Sequence, residues 1–357
     1  MKRFLICIAV SVFALNGVWA QTDGTKKKAD GAFSHLDASV SLGTTGIGLE
    51  LSTPLIKDYL NVRAGVDVMP HFEYDMHFGI QVGGKEESKY DDEGNRVETT
   101  FDRLAGKLED WTGITVDDEV VMIGEPTMWN AKVLFDVTPF RNKHWRLTTG
   151  FYLGPRKIGK ATNALKDAPS LVAVSIYNFM YQRSYNDLPV ITTGDFFLYR
   201  EDLVDYGPMG VKLGTYKGSD DICFIVPDEN NIVSARLVTN AFKPYLGFGY
   251  GGKLLKNNDR WGVSFDCGLL FWGGTPKIYT DNAVRMTYDS DNNTYDFDSY
   301  TEYDEEFEQD VKYMKRSTVD MAHDLENING KVGDYVDFFK AVKAYPVLNV
   351  KFTYNIF

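Results

Sequence analysis

The sequence predicts an all-β fold, an eight-stranded antiparallel up-and-down barrel with a polar interior and an apolar exterior. Three observations predict it. Apolar residues recur at every second position over eight separate stretches, the period of strands whose two faces meet different surroundings. The links between those stretches alternate between short and long. The chain also combines 14% aromatic residues with 32 glycines in 357 residues, a balance that suits strands and tight turns better than helices.

The amino terminus comes before any strand. Lys2 and Arg3 precede an apolar run from Phe4 to Leu15, and Val18-Trp19-Ala20 forms a small-residue cleavage site. This is the pattern of a cleavable export signal over residues 1–20, and the run is too short for a spanning helix, which needs about 20 apolar residues. Loss of Lys2 and Arg3 takes the formal net charge from −12 to −14. Such an acidic exported chain is a poor match for nucleic acid. A polar leader, 21–33, follows the signal. Cys223 and Cys267 remain after cleavage, with no zinc-type spacing between them.

Alternation begins at Leu36. The first strand sets Leu36, Ala38, Val40 and Leu42 outward, and Gly43-Thr44-Thr45-Gly46 turns it into a second with Ile47, Leu49 and Leu51 outward. The third runs from Leu60 to Val68, the fourth from Trp129 to Val137 and the fifth from Trp145 to Leu153. A sixth covers Leu246 to Gly251, a seventh Trp261 to Phe271, and the eighth is the carboxyl-terminal PVLNVKFTYNIF, Pro346 to Phe357. Thr53-Pro54 to Pro70 aligns without gaps on Thr138-Pro139 to Pro155, as two hairpins of one design would.

Short turns join strands two to three, four to five and six to seven, whereas insertions 69–127, 156–241 and 273–344 separate three from four, five from six and seven from eight. Transmembrane barrels show that alternation, with short periplasmic turns and long outer loops. Trp145 and Trp261 begin strands, and Trp129 and Trp272 lie at the opposite strand ends, where two aromatic girdles would sit. Past the signal, no stretch approaches 18 uninterrupted apolar residues, which excludes a helical membrane protein but not a barrel.

With the signal peptide and terminal Phe357, this pattern resembles the small porin-like barrels of the Gram-negative outer membrane typified by the OmpA transmembrane domain and OmpW. The resemblance covers the eight strands and no loop. It implies a place in the bacterial outer membrane and contact with its lipid. The even strand number puts both termini in the periplasm, and the alternating connections make residues 34–357 one barrel with three extracellular insertions. The resemblance also implies that Phe352, Tyr354 and Phe357 are read by the barrel-assembly machinery.

The inward faces carry Asp37, Glu50, Asp67, Asp136 and Asp266 against Arg63, Lys132, Arg146 and Lys351. Eight strands enclose a space that side chains just fill, so near-balanced charges are expected to pair and plug it. The alternative is a small porin, with a narrow water path left by inward glycines such as Gly48, Gly65 and Gly249. A rim-located barrel enzyme is a third reading with no supporting motif. The excess of loop favours a structural or binding role at the cell surface, for a ligand the sequence does not identify.

Continuing the third strand past Pro70 places His71, Glu73, Asp75 and His77 on one face, where they could bind a transition metal or act as an acid/base cluster near the outer rim, beside the default of a solvated polar face. Asp289-Ser290-Asp291-Asn292-Asn293 begins like a calcium loop but lacks glycine at its sixth position and glutamate at its twelfth. No cofactor is expected. Helices are predicted from Asp167, as cap, through Tyr185 and over Val332 to Val342. Ile222–Val226 and Ile232–Val238 read as a hairpin turned at Pro227–Asn231 outside the membrane; together with Gly210–Tyr216 they could instead be extra barrel strands.

Overall fold

Alternation with period two, carried by eight stretches, closes into a cylinder. The computed structural model of the chain describes residues 32–83, 87–188, 190, 200–255, 258–289, 291, 294–305, 308–328 and 330–357. The predicted signal and nearly all of the leader lie outside the described residues, as do Ser290, Asn292 and Asn293 of the calcium-like loop.

In chain order the strands are β1 (Asp37–Gly43), β2 (Gly46–Ile56), β3 (Leu60–Val68), β4 (Tyr74–Gly79), β5 (Gln81–Val82), β6 (Glu119–Pro126) and β7 (Trp129–Val137). Then come β8 (Trp145–Leu153), β9 (Lys157–Asn163), β10 (Met209–Tyr216), β11 (Ile222–Ile225), β12 (Ser234–Val238), β13 (Phe242–Leu255) and β14 (Asn258–Phe271). The last are β15 (Lys277–Asp289), β16 (Thr294–Phe297), β17 (Ser299–Asp304), β18 (Gln309–Met314), β19 (Ser317–Asp320), β20 (Leu325–Glu326) and β21 (Ala344–Asn355).

The barrel order is β1-β2-β3-β7-β8-β13-β14-β21, every pair antiparallel, and β21 closes it by pairing Asp37 with Asn355 through Gly43 with Asn349 on β1. These are the eight predicted strands. The tight turn into β2 needs glycine at Gly46, whose φ of 97° is left-handed and whose missing side chain would strike the Val68 carbonyl. Outward residues such as Leu42, Leu49, Leu246 and Phe352 are exposed as a continuous apolar belt, while the inward ones are buried. A belt of that extent is far larger than the apolar patches of water-soluble monomers. Among the described residues no helix is long and apolar enough to cross a membrane.

The three long insertions leave the same end of the barrel and build one further sheet of eleven strands, ordered β20-β10-β11-β15-β12-β9-β6-β4, with β5, β16 and β19 at its margins. Its core draws on all three: Leu104 and Leu108 of the helix Thr100–Thr112, Tyr177 and Tyr181 of the helix Ala168–Tyr185, and Val284 and Met286 of β15. The Val332–Val342 prediction is met by a helix over Gly330–Ala341.

Several expectations need correction. The segments Gly210–Tyr216, Ile222–Val226 and Ile232–Val238 are strands of this second sheet and not of the barrel. Nor do the last two form a hairpin. Ile222–Ile225 pairs with Met286 to Ala283 and Ala235–Val238 with Thr280 to Lys277, so β11 and β12 run end to end along β15, with β19 on its other edge. The residues between them bulge out as an excursion. The hairpin that stands apart is β17–β18, in the third insertion. β3 stops at Val68 rather than running past Pro70; β4 begins at Tyr74 and belongs to the second sheet. Asp167 precedes its helix as expected, yet its buried carboxylate accepts from the Val121 N–H at 2.6 Å instead of capping the helix. Trp272 is buried between sheet and barrel rim, whereas Trp129, Trp145 and Trp261 are exposed on the belt.

Candidate functional site

Two features are candidates, the charged lumen and an apolar cavity above it. Strand parity builds the first. Arg63 on β3 lies in the centre, side chain 2% exposed, with Nη1 at 2.8 Å from Asp266 Oδ2 and 3.2 Å from Glu50 Oε2. Its Nη2 donates to Asp136 Oδ1 at 3.0 Å, and its Nε lies 2.9 Å from Asp136 Oδ2 as an ion pair without a hydrogen bond. Reaching three carboxylates with two terminal nitrogens suits a guanidinium better than an ammonium. Lys132 bridges Glu50 at 2.7 Å and Asp67 at 2.6 Å, Arg146 binds Asp266, and Lys351 lies 3.8 Å from Glu50. Thr148 donates to Asp136 at 2.7 Å.

Eight of the nine predicted lumen residues therefore form one network. Asp37 stands apart near the other barrel end, accepting from Asn355 at 2.8 Å. The inward glycines make room for this network: a Cβ at Gly48 would collide with Asp67, and one at Gly249 with Asp266 and Arg146. Sequence reasoning missed Lys243, a buried inward cation of β13 that donates to Asn130 Oδ1 at 3.3 Å. Parity extended back from Gly247 through Tyr245 finds it, although Pro244 lies between Tyr245 and Lys243 and proline is rare inside a strand.

The second feature is a cavity of about 410 Å³ between the second sheet, the helix Gly330–Ala341 and the barrel rim. Met122, Ile158, Ile278 and Val336 wall it from the sheet and helix, and Trp272 and Tyr345 from the rim. The charges at its margin are paired. Lys160 bonds Glu125 at 2.9 Å, and that hydrogen bond holds the Glu125 carboxyl below the usual carboxylate range. Arg236 likewise holds Asp281 down through its hydrogen bond.

The predicted His71, Glu73, Asp75 and His77 do not converge. His77 turns to Glu119 at 3.3 Å. His71 and Glu73 are 3.7 Å apart and meet Glu125 instead, with ligand atoms of the three within 4.8 Å. Phe352 and Tyr354 lie on β21, Tyr354 packing on Trp261 with ring centres 4.8 Å apart, and exposed Phe357 follows the strand.

These features define a class, a closed eight-stranded antiparallel barrel with an ion-paired interior, an apolar exterior and a folded superstructure on one rim, which is the build of small outer-membrane barrels. No family model matches the sequence, and no curated protein does. Among solved structures it is similar to CarO of Acinetobacter baumannii, with 12% identity, a TM-score of 0.33 and coverage of 90% of this chain and 97% of that one. Similar too is CarO2 of the same organism, with 13% identity, a TM-score of 0.34 and coverage of 90% and 98%.

Proposed function

We propose that the chain is a bacterial outer-membrane barrel that is not an enzyme, with a lumen closed by its own ion pairs and an extracellular superstructure that binds a ligand at the cell surface. The observation that carries the closed lumen is Arg63, whose guanidinium reaches carboxylates from β2, β7 and β14 and so ties opposite walls across the axis. A diffusion pore of this strand number would have to break that crossing, and leaving one member of a buried pair alone costs about 3–5 kcal/mol. The membrane placement is supported by the apolar belt, the exposed tryptophans and the alternation of connection lengths.

Planar-bilayer recording of the refolded mature protein tests the lumen. The expected result is no steady conductance at physiological salt, with rare small openings at most. Large steady currents would instead favour a porin for passive diffusion of small solutes. Antibodies against 273–344 should label intact cells; labelling seen only after the outer membrane is opened would reverse the orientation.

A further inference from the structure

The cavity above the barrel takes no part in the lumen's ion pairing, and its lining is almost wholly apolar. We infer that it binds the chain of a single-chain amphiphile, of the kind of a long-chain fatty acid, entered from the lipid side of the barrel rim. The inference rests on the membrane placement proposed above.

Size favours one chain. At about 410 Å³ the cavity lies low in the range of about 300–1,000 Å³ typical of small-molecule pockets, room for one acyl chain rather than a bundle. Composition favours a flexible guest. Five lining residues, Met69, Met76, Met122, Met128 and Met321, are methionines, whose unbranched thioethers repack around irregular apolar shapes.

Continuity fixes the point of entry. Val68, exposed on the barrel exterior, pairs with exposed Trp129 at the top of the belt. Immediately beyond it the chain supplies Met69, Phe72 and Tyr74 to the cavity wall. Phe72 and Tyr74 are 53% and 58% exposed, so an apolar track leads from the belt into the cavity. Beside it, the Lys160–Glu125 and Arg236–Asp281 pairs present a polar, near-neutral margin where a head group can stay in water. The rest of the wall offers such a head little polar surface, so the recognised part is the chain.

Mature protein refolded into phosphatidylcholine vesicles would be irradiated with a diazirine analogue of palmitate, and in parallel with a diazirine phosphatidylcholine, and the adducts mapped by peptide mass spectrometry. The palmitate probe should label cavity peptides around Met122 and Val336, and excess palmitate should compete it away. Ala235→Trp, which fills the cavity from β12, should lower that labelling at least tenfold without changing adducts on the belt peptide Leu246–Phe248. Phe72→Asp, at the exposed entrance, should lower it in the same way and spares the core should the larger side chain disturb folding.

Equal cavity labelling in both variants, or no cavity labelling in wild type, would overturn the inference. Comparable cavity labelling by the phosphatidylcholine probe would overturn its single-chain form. Heat-modifiable migration separates the two readings: wild type that never acquires it would overturn the membrane placement and this inference together. Inserted protein with an unlabelled cavity overturns this inference alone.

Discussion

Arg63 holds three carboxylates at once, and the carboxylates differ in what else they have. Glu50 also meets Lys132 and Lys351, and Asp266 also meets Arg146, whereas the nearest other cation to Asp136 is the Arg146 Nε at 3.7 Å. Removing the guanidinium therefore strands Asp136 most and Glu50 least. Arg63→Met, close in length but uncharged, should destabilise the inserted barrel by about 3–5 kcal/mol, read as a lower urea midpoint for loss of the heat-modifiable form. Lys351→Met should cost clearly less, because Glu50 keeps Arg63 and Lys132. Equal losses for the two would mean that the lumen charges act as a diffuse field rather than through these contacts. Arg63→Lys should fall between them, since an ammonium retains the charge but lacks the two terminal nitrogens through which Arg63 reaches Glu50, Asp266 and Asp136 at once.

At the scale of elements, the end-to-end run of β11 and β12 along β15 depends on what fills the break between them. Asn282 fills it: its amide donates to the Val226 and Ile232 carbonyls at 3.2 and 2.8 Å, and its oxygen accepts from the Ser234 N–H at 3.1 Å. Asn282→Ala would orphan all three, at about 1–3 kcal/mol for each that stays buried. The excursion should then open, with faster Glu-C cleavage at Glu229 while the barrel keeps its heat-modifiable migration; an unchanged cleavage rate would show that backbone pairing alone sets the register. This clamp could not be read from the sequence. Barrel strands could, to within a few residues, because a wall between lipid and a polar lumen writes its parity locally into each strand. In the second sheet, β11 reads Ile-Cys-Phe-Ile and is buried along most of its length, so no alternation marks it; one partner, β10, directly precedes it, but the other, β15, lies some sixty residues on. The hairpin expectation followed from proximity in sequence alone. The helix Thr100–Thr112 went unread although Thr99 and Asp102 form a capping box, since its apolar face is set by a core assembled from three insertions. The four residues His71, Glu73, Asp75 and His77 do not share one strand because β3 ends before Pro70, and Glu125, which lies beside His71 and Glu73, comes from β6.

For the whole molecule, closure and superstructure meet at the last strand. β21 pairs with β14 over eleven positions and with β1 over seven, so no cylinder exists until it docks. Near its start, Tyr345 donates its hydroxyl to the Thr44 carbonyl at 2.7 Å and packs on Trp272 with ring centres 5.9 Å apart, which joins the closed barrel to the wall of the apolar cavity. Toward its end, Phe352 and Tyr354 face outward, the latter against Trp261. Charge on that face costs up to about 2–4 kcal/mol per residue at the membrane midplane for the worst side chains, less for aspartate and less toward the interfaces. Both substitutions fall on the strand that must pair with β14 and β1 for the barrel to close. The double variant Phe352→Asp, Tyr354→Asp should therefore fail to yield heat-modifiable protein in the membrane. Since Tyr345 is held on Thr44 only in the closed barrel, the same variant should lose the cavity, with Trp272 fluorescence shifting toward that of a solvated indole. That emission would be read in a background where the other mature-chain tryptophans, Trp111, Trp129, Trp145 and Trp261, are phenylalanine. Normal membrane levels of heat-modifiable double variant would contradict a lipid-facing β21. A double variant that fails to close yet keeps Trp272 buried would instead show that the superstructure folds independently of closure.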